Sequence, residues 1–178
     1  MRFAIIAVAL ALGASAAGAQ EPYTYTLSLA GGFGAAYDIR PKNTDFVGAI
    51  QAGASMVIDE DTLLALRVGR VHFGASNTFA PFSKVDLDYG LIGGEYRFKQ
   101  SYYDFGFFGG LGAYQLTGRD LGGARRRVHT APGVGFGIDG DFDLTRHLSA
   151  IVEFSAHYAL LDEADVFPMA FAGLAFHF

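Results

Sequence analysis

Apolar and polar residues alternate along most of this chain, and the alternation recurs in eight stretches, the period of half-exposed β-strands. In the first, Tyr23, Tyr25, Leu27, Leu29, Phe33, Ala35 and Tyr37 share one face, opposite Thr24, Thr26, Ser28, Ala30 and three further small residues. The second sets Phe46, Ile50, Met56 and Ile58 against Gln51, Gly53 and Ser55, and the third Leu64, Leu66 and Val68 against Ala65, Arg67 and Gly69. In the fourth, Val85, Leu87, Tyr89 and Leu91 oppose Asp86, Asp88 and Gly90. The parity then slips at Gly93-Gly94 before Tyr96 and Phe98, which predicts a β-bulge.

The second half continues the pattern. Tyr103, Phe105, Phe107 and Leu111 oppose Asp104, Gly106, Gly110 and Gly112, and Val134, Phe136, Ile138 and Phe142 oppose Gly135, Gly137, Asp139 and Asp141. Leu148, Ala150, Val152, Phe154 and Tyr158 oppose Ser149, Glu153, Ser155 and His157, and the last strand presents Ala172, Leu174, Phe176 and Phe178 on one face. Strands of about ten residues are the length a tilted strand needs to cross a bilayer. The connections at 59–62, 99–101 and 143–147 are tight, whereas 38–45, 74–84, 117–131 and 161–168 are longer and polar. Short turns on one rim and long loops on the other are the layout of an outer-membrane barrel.

Alternation does not say which face meets lipid, since a soluble barrel has the same period with its apolar face inside. Here the polar face is mostly Gly, Ala, Ser and Thr with scattered ions, which fits a narrow lumen better than a water-exposed wall. The opposite face carries almost no charge, and aromatic residues gather near both ends as interfacial girdles. The fold class expected is therefore all-β, an eight-stranded antiparallel up-and-down transmembrane β-barrel.

Composition agrees. Apolar residues make up 51% and aromatics 15% of the chain, yet 24 glycines are too many for long helices. Arg2, the apolar run to Leu12 and the small residues ending in Ala17-Gly18-Ala19 predict a signal peptide over 1–19, cleaved to leave a barrel domain over 20–178. The net charge of −5 gives no footprint for nucleic acid, and with no cysteine there is no disulfide or thiolate site. Localisation in a cell outer membrane is expected from these features together.

The run Gly133-Val134-Gly135-Phe136-Gly137-Ile138, the strand from Leu148 to Phe154, and Met169 to Phe178 resemble the small outer-membrane β-barrel family related to the OmpA transmembrane domain. The resemblance extends over essentially all of 20–178. It implies that the ending, with Phe178 last and Phe176 two before it, is the signal read by the barrel assembly machinery. It also implies lipid and lipopolysaccharide as surroundings. Nothing follows Phe178, so the peptidoglycan-binding domain of full-length OmpA-like proteins is not expected.

The candidate site is the lumen, with Arg67, Asp86, Asp88, Asp104, Asp139, Asp141, Glu153 and His157 as its ions. A single Arg among carboxylates predicts an internal ion-pair network centred on Arg67, either a gated ion path or a plug that holds the register. Ser155 and His157 with Glu153 superficially resemble a hydrolase set, but they point inward and have no evident oxyanion hole. His147-Leu148-Ser149 is similar to the His-x-Ser pair of outer-membrane lipid A deacylases, but it falls at a short turn and has no matching Glu. Arg125, Arg126 and Arg127 form a basic loop cluster, either meeting lipopolysaccharide phosphates or simply solvated, and Phe79, Pro81 and Phe82 are expected to pack within their loop rather than to cap the mouth or touch a ligand. No catalytic, metal or cofactor site is expected. The function expected is that of a non-enzymatic, monomeric envelope barrel presenting four loops, with a transport barrel as the alternative and a lipid-modifying enzyme behind it.

Overall fold

The computed structural model describes residues 24–36, 47–73, 82–100, 103–120, 126–161 and 166–178. They form eight strands: β1 (Tyr25–Gly34), β2 (Val47–Asp59), β3 (Thr62–Phe73), β4 (Phe82–Lys99), β5 (Tyr103–Asp120), β6 (Arg126–Asp143), β7 (Leu148–Ala159) and β8 (Val166–His177). Each pairs antiparallel with its neighbour in sequence, and β8 pairs with β1 to close the barrel. The segment 1–19 expected as a signal peptide lies outside the described residues, as do the girdle positions Tyr23, Tyr37, Phe46 and Tyr102 and the loop residues Phe79, Pro81 and Arg125.

Closure is completed at the end of the chain. Tyr25 and Phe178 exchange backbone hydrogen bonds, each N–H donating to the other's carbonyl at 3.0 Å, and their rings stack with centroids 6.1 Å apart. Phe176 stacks on the His147 ring at 6.1 Å and lies 5.9 Å from Phe178. Tyr96 with Phe98, and Tyr103 with Phe142, extend this aromatic belt around the short-turn rim. The short turns are locally encoded: Thr145 Oγ1 accepts from the N–H groups of His147 and Leu148, and Asp59 Oδ1 from that of Glu60.

The large apolar side chains of the outer face are bare, Leu111 being 69% exposed and Leu29, Ile58, Phe136 and Phe154 similarly open. A water-exposed surface does not carry such a belt, whereas contact with hydrocarbon requires one. Among the described residues no helix is long and apolar enough to cross a membrane.

The fourth strand departs from the alternation expected of it. Its pairing with β3 and β5 runs without a shift through Gly93 and Gly94, so there is no bulge there. Val85, Leu87, Tyr89 and Leu91 face inward and are buried, Glu95 follows them into the lumen, and Asp86 and Asp88 project outward. The glycines serve close approach of strands instead. Gly93 pairs with Gly110, and a Cβ at Gly93 would lie 2.0 Å from the Gly109 carbonyl oxygen.

The wall is also taller on one side than the sequence implied. Strands β4, β5 and β6 have 18 residues each, against 10 to 13 in the others. Much of 117–131, expected as a loop, is therefore strand, and only 121–125 between β5 and β6 lies outside the description. Outward positions there, such as Gln115 and Thr130, are polar and hydrogen-bonded to each other at 3.2 Å. Above the hydrocarbon the apolar-outward signature disappears, although the ladder continues.

Substituting Gly93 by Val should force apart the backbones of β4 and β5 where Gly93 faces Gly110. We expect a loss of about 2 kcal/mol or more, read as a lower temperature for the heat-induced gel-mobility transition. The same change at Gly94, whose Cβ would meet nothing within 4 Å, should leave that temperature nearly unchanged.

Candidate functional site: a lumen in two storeys

An eight-stranded barrel has an interior just wide enough for side chains to fill. Toward the short-turn rim several inward positions of β1, β2 and β7 are small and polar, including Thr26, Ser28, Ser55 and Ser149, and ionic side chains from β3, β4, β6 and β7 occupy the space they leave. Arg67 is the hub. Its Nε donates to Glu153 Oε2 and its Nη2 to Glu95 Oε2, both at 2.9 Å, and its guanidinium lies 3.6 Å from the centroid of the Phe108 ring. Desolvated contacts of that last kind contribute about 2 kcal/mol.

A second guanidinium extends the network downward. Arg97 Nε donates to Glu95 Oε1 at 2.5 Å and its Nη1 to Asp141 Oδ2 at 3.3 Å, while its Nη2 lies 3.9 Å from Asp139. His177 Nε2 is 3.6 Å from Asp141 and 2.6 Å from Ser149 Oγ, and its Nδ1 shares a hydrogen bond with Thr26 Oγ1. Upward, Gln51 Nε2 donates to Glu153 Oε2, and the Tyr89 hydroxyl donates to Gln51 Oε1 at 2.6 Å. Two guanidiniums thus face four carboxylates in this storey, around a cavity of about 40 Å³ bounded by both arginines and all four acids. That is room for roughly three waters, beside Asp139 Oδ1, Asp141 Oδ1 and Glu153 Oε1, which accept no hydrogen bond from the described residues.

Toward the long-loop rim the lumen changes character. Val71, Phe73, Val85, Leu87, Leu116, Ala131, Leu161, Phe167 and Met169 pack into one buried cluster, with Val71, Leu87 and Phe167 at 0% exposure. His157 sits at the boundary between the storeys. Its Nδ1 shares a hydrogen bond with the Tyr114 hydroxyl at 2.9 Å and its Nε2 with Ser155 Oγ at 3.1 Å, while its ring centroid lies 5.0 Å from that of Tyr89.

The residues expected in the lumen therefore divide. Arg67, Asp139, Asp141 and Glu153 meet in the lower storey, Asp104 lies on an inward position near the short-turn rim, and His157 is separate from the ion pairs. Asp86 and Asp88 are corrections: they stand on the outer face of the wall, paired with His72 and Arg70 respectively, the latter at 2.5 Å. Their alternation partners point inward because the upper storey is filled with apolar side chains, so apolar residues mark the inside there. Arg97, Glu95 and His177 were missed, the first two although the slip expected at Gly93-Gly94 already sets Tyr96 and Phe98 outward and so leaves Glu95 and Arg97 facing the lumen. Reading the parity straight through from Asp104 and its cross-strand partner Lys99 would have found them. Arg126 and Arg127 open strand β6 and are not loop residues, and Phe82 opens β4.

The arrangements resembling hydrolase sets do not assemble. Glu153 is held by Arg67 and Gln51 and does not orient His157, which is fully buried. Ser149 and Asp141 both approach the same nitrogen of His177, whereas a catalytic histidine needs nucleophile and carboxylate on opposite nitrogens. His147 donates from Nδ1 to the His177 carbonyl at 3.1 Å and stacks on Phe176, away from Ser149 Oγ.

No protein-family model matches the chain, and no curated protein matches it. Solved structures do. Neisserial surface protein A superposes with a TM-score of 0.73 at 15% identity, covering 89% of this chain and 100% of that one. Ail, the attachment invasion locus protein of Yersinia pestis, gives 0.63 at 12% identity over 89% and 100%. The N-terminal β-barrel domain of Pseudomonas aeruginosa OprF gives 0.63 at 15% identity over the same shares. The structural neighbours are thus small outer-membrane eight-stranded barrels, and at these identities the likeness is one of fold.

Replacing Arg67 by Ala leaves Glu153 buried with Gln51 alone and no cation, while Glu95 keeps Arg97. Urea unfolding in lipid vesicles should show a loss on the order of 3–5 kcal/mol. Asp88→Asn, on the exposed outer pair with Arg70, should change stability by no more than about 1 kcal/mol.

Proposed function

We propose that this chain is a non-enzymatic outer-membrane barrel that works as a sealed scaffold, holding its long-loop rim at the cell surface for interaction with other molecules. The observation that carries this is the dry upper storey. Any ion crossing the lumen would have to pass the packed side chains of Val71, Phe73, Leu87 and Phe167, which leave it no polar partner. The cost of moving a charge through such a layer is large. Below it, the Arg67 network acts as a polar filling that fixes the register of β2, β3, β4, β6 and β7.

In this account residues 1–19 direct export and are removed, and the ending at Phe176 and Phe178 is read by the assembly machinery. Lipid and lipopolysaccharide surround the outer face, where the Arg70–Asp88 and His72–Asp86 pairs mark the emergence of β3 and β4 from the hydrocarbon. The fold of the solved neighbours supports the outer-membrane setting. A transport barrel would instead need a continuous polar or ligand-sized passage.

Two measurements test this. The protein recovered from outer-membrane fractions should migrate differently boiled and unboiled, as closed barrels do. In planar bilayers it should give no steady single-channel conductance, whereas the double variant Leu87→Ala, Phe167→Ala should begin to conduct. Steady conductance from the unaltered protein would overturn the sealed scaffold in favour of transport.

A further inference from the structure

The filling of the lower storey does not balance its own charge. Arg67 and Arg97 are its two guanidiniums and Glu95, Asp139, Asp141 and Glu153 its four carboxylates, so two negative charges are left over. Lys99 does not offset them, because its ammonium donates at the rim to the Glu60 carbonyl. Counting His177, whose ring lies 3.6 Å from Asp141, as a cation still leaves one negative charge over. Asp104, on an inward position of β5, adds a further carboxylate toward the short-turn rim. Buried charge of one sign demands a partner, since taking it out of water without one is very costly.

The surplus is gathered around one cavity. Glu153 and Asp141 are only 5% and 4% exposed, and each has one oxygen, Oε1 and Oδ1 respectively, that accepts no hydrogen bond from the described residues. Asp139 Oδ1 is in the same position. It lies over Gly106, where a Cβ would come within 2.5 Å of it, so the glycine leaves the room that this carboxylate takes. All three acids line the cavity of about 40 Å³, and Ser28 and Ser55 add neutral side chains to the lining.

We propose that this cavity binds one monovalent cation of potassium's size, held between Asp139, Asp141 and Glu153 and completed by water. Volume and spacing select the ion. The cavity has room for roughly three waters, so a potassium ion takes the place of one and keeps the others as ligands. Among the described residues no three acidic or histidine side chains are grouped to ligate a metal ion directly, which is why water completes the coordination. Divalent ions fit less well: calcium takes about six to eight oxygen ligands, and magnesium gives up its own waters reluctantly. The ion enters from the short-turn rim and does not cross the apolar storey.

The inference goes beyond the surface-scaffold account and stands without it, since steady conductance would leave the charge around the cavity unchanged. The full chain in micelles is heated in potassium chloride and, at the same ionic strength, in N-methylglucamine chloride, whose cation is too large for the cavity. Between no potassium and about ten times its Kd, the heat-induced gel-mobility transition should rise by about 4 °C. Asp139→Asn removes one surplus charge and leaves the hydrogen bonds of Arg67 and Arg97 to their glutamates in place. It should abolish that rise while the folded band persists. In the unaltered protein, isotope-labelled ammonium, a potassium-sized ion visible by NMR, should transfer magnetisation to the methyl groups of Ala65 and Ile151 in the cavity lining. Potassium chloride should then displace it. Equal transition temperatures in the two salts, a rise that survives in Asp139→Asn, or ammonium that reaches neither methyl group or resists potassium would each overturn the proposal.

Discussion

Inside a bilayer there is no water to satisfy peptide groups, so a sheet persists there only if its first and last strands are bonded to each other. In this chain that condition falls on β1 and β8, joined from Thr26 opposite His177 to Gly34 opposite Met169, with Tyr25 and Phe178 extending the seam by one further pair of bonds. Much else follows from closure at eight strands. The interior becomes narrow, every inward position must be filled or deliberately small, and every outward position in the belt must be apolar. Gly93 opposite Gly110, where backbones approach too closely for any Cβ, and the small residues around Arg67 and Arg97 are consequences of the same limit.

The two storeys solve the filling problem differently. Below, ionic side chains reach across the lumen and tie distant strands together: Arg67 on β3 binds Glu153 on β7, and Arg97 on β4 binds Asp141 on β6. Such pairs contribute less to net stability than their geometry suggests, because desolvation offsets much of the attraction, but leaving one partner alone is severe. They therefore favour a single register. Above, aromatic and aliphatic side chains pack against one another. The boundary at Tyr89, Gln51 and His157 is where one kind of filling gives way to the other.

The eight strands, the closed antiparallel order and the inward position of Arg67, Asp139, Asp141 and Glu153 were legible in the sequence, because within the belt polarity and facing go together. That coupling fails at two places. Along Val85, Leu87, Tyr89 and Leu91 the inside is apolar, so the alternation inverts. A local reading then places Asp86 and Asp88 in the lumen and requires a slip at Gly93-Gly94 to restore the belt below. Beyond the belt, Gln115, Thr130 and the arginines of β6 carry no apolar-outward mark, so ordered strand reads as loop. The apolar filling of the upper storey could not be found from periodicity, since an apolar run that faces a lumen has the same period as one that faces lipid.

The account turns on the dryness of the upper storey, and water contact along the lumen tests it most directly. Methyl-labelled protein in micelles can be surveyed by NMR for magnetisation transfer between water and the inward methyl groups. The two-storey lumen predicts none at Val71, Val85, Leu87 and Leu116, and clear transfer at Thr26 in the polar storey. Water contact at the upper methyl groups comparable to that at Thr26 would contradict it, and would mean a hydrated path through the barrel.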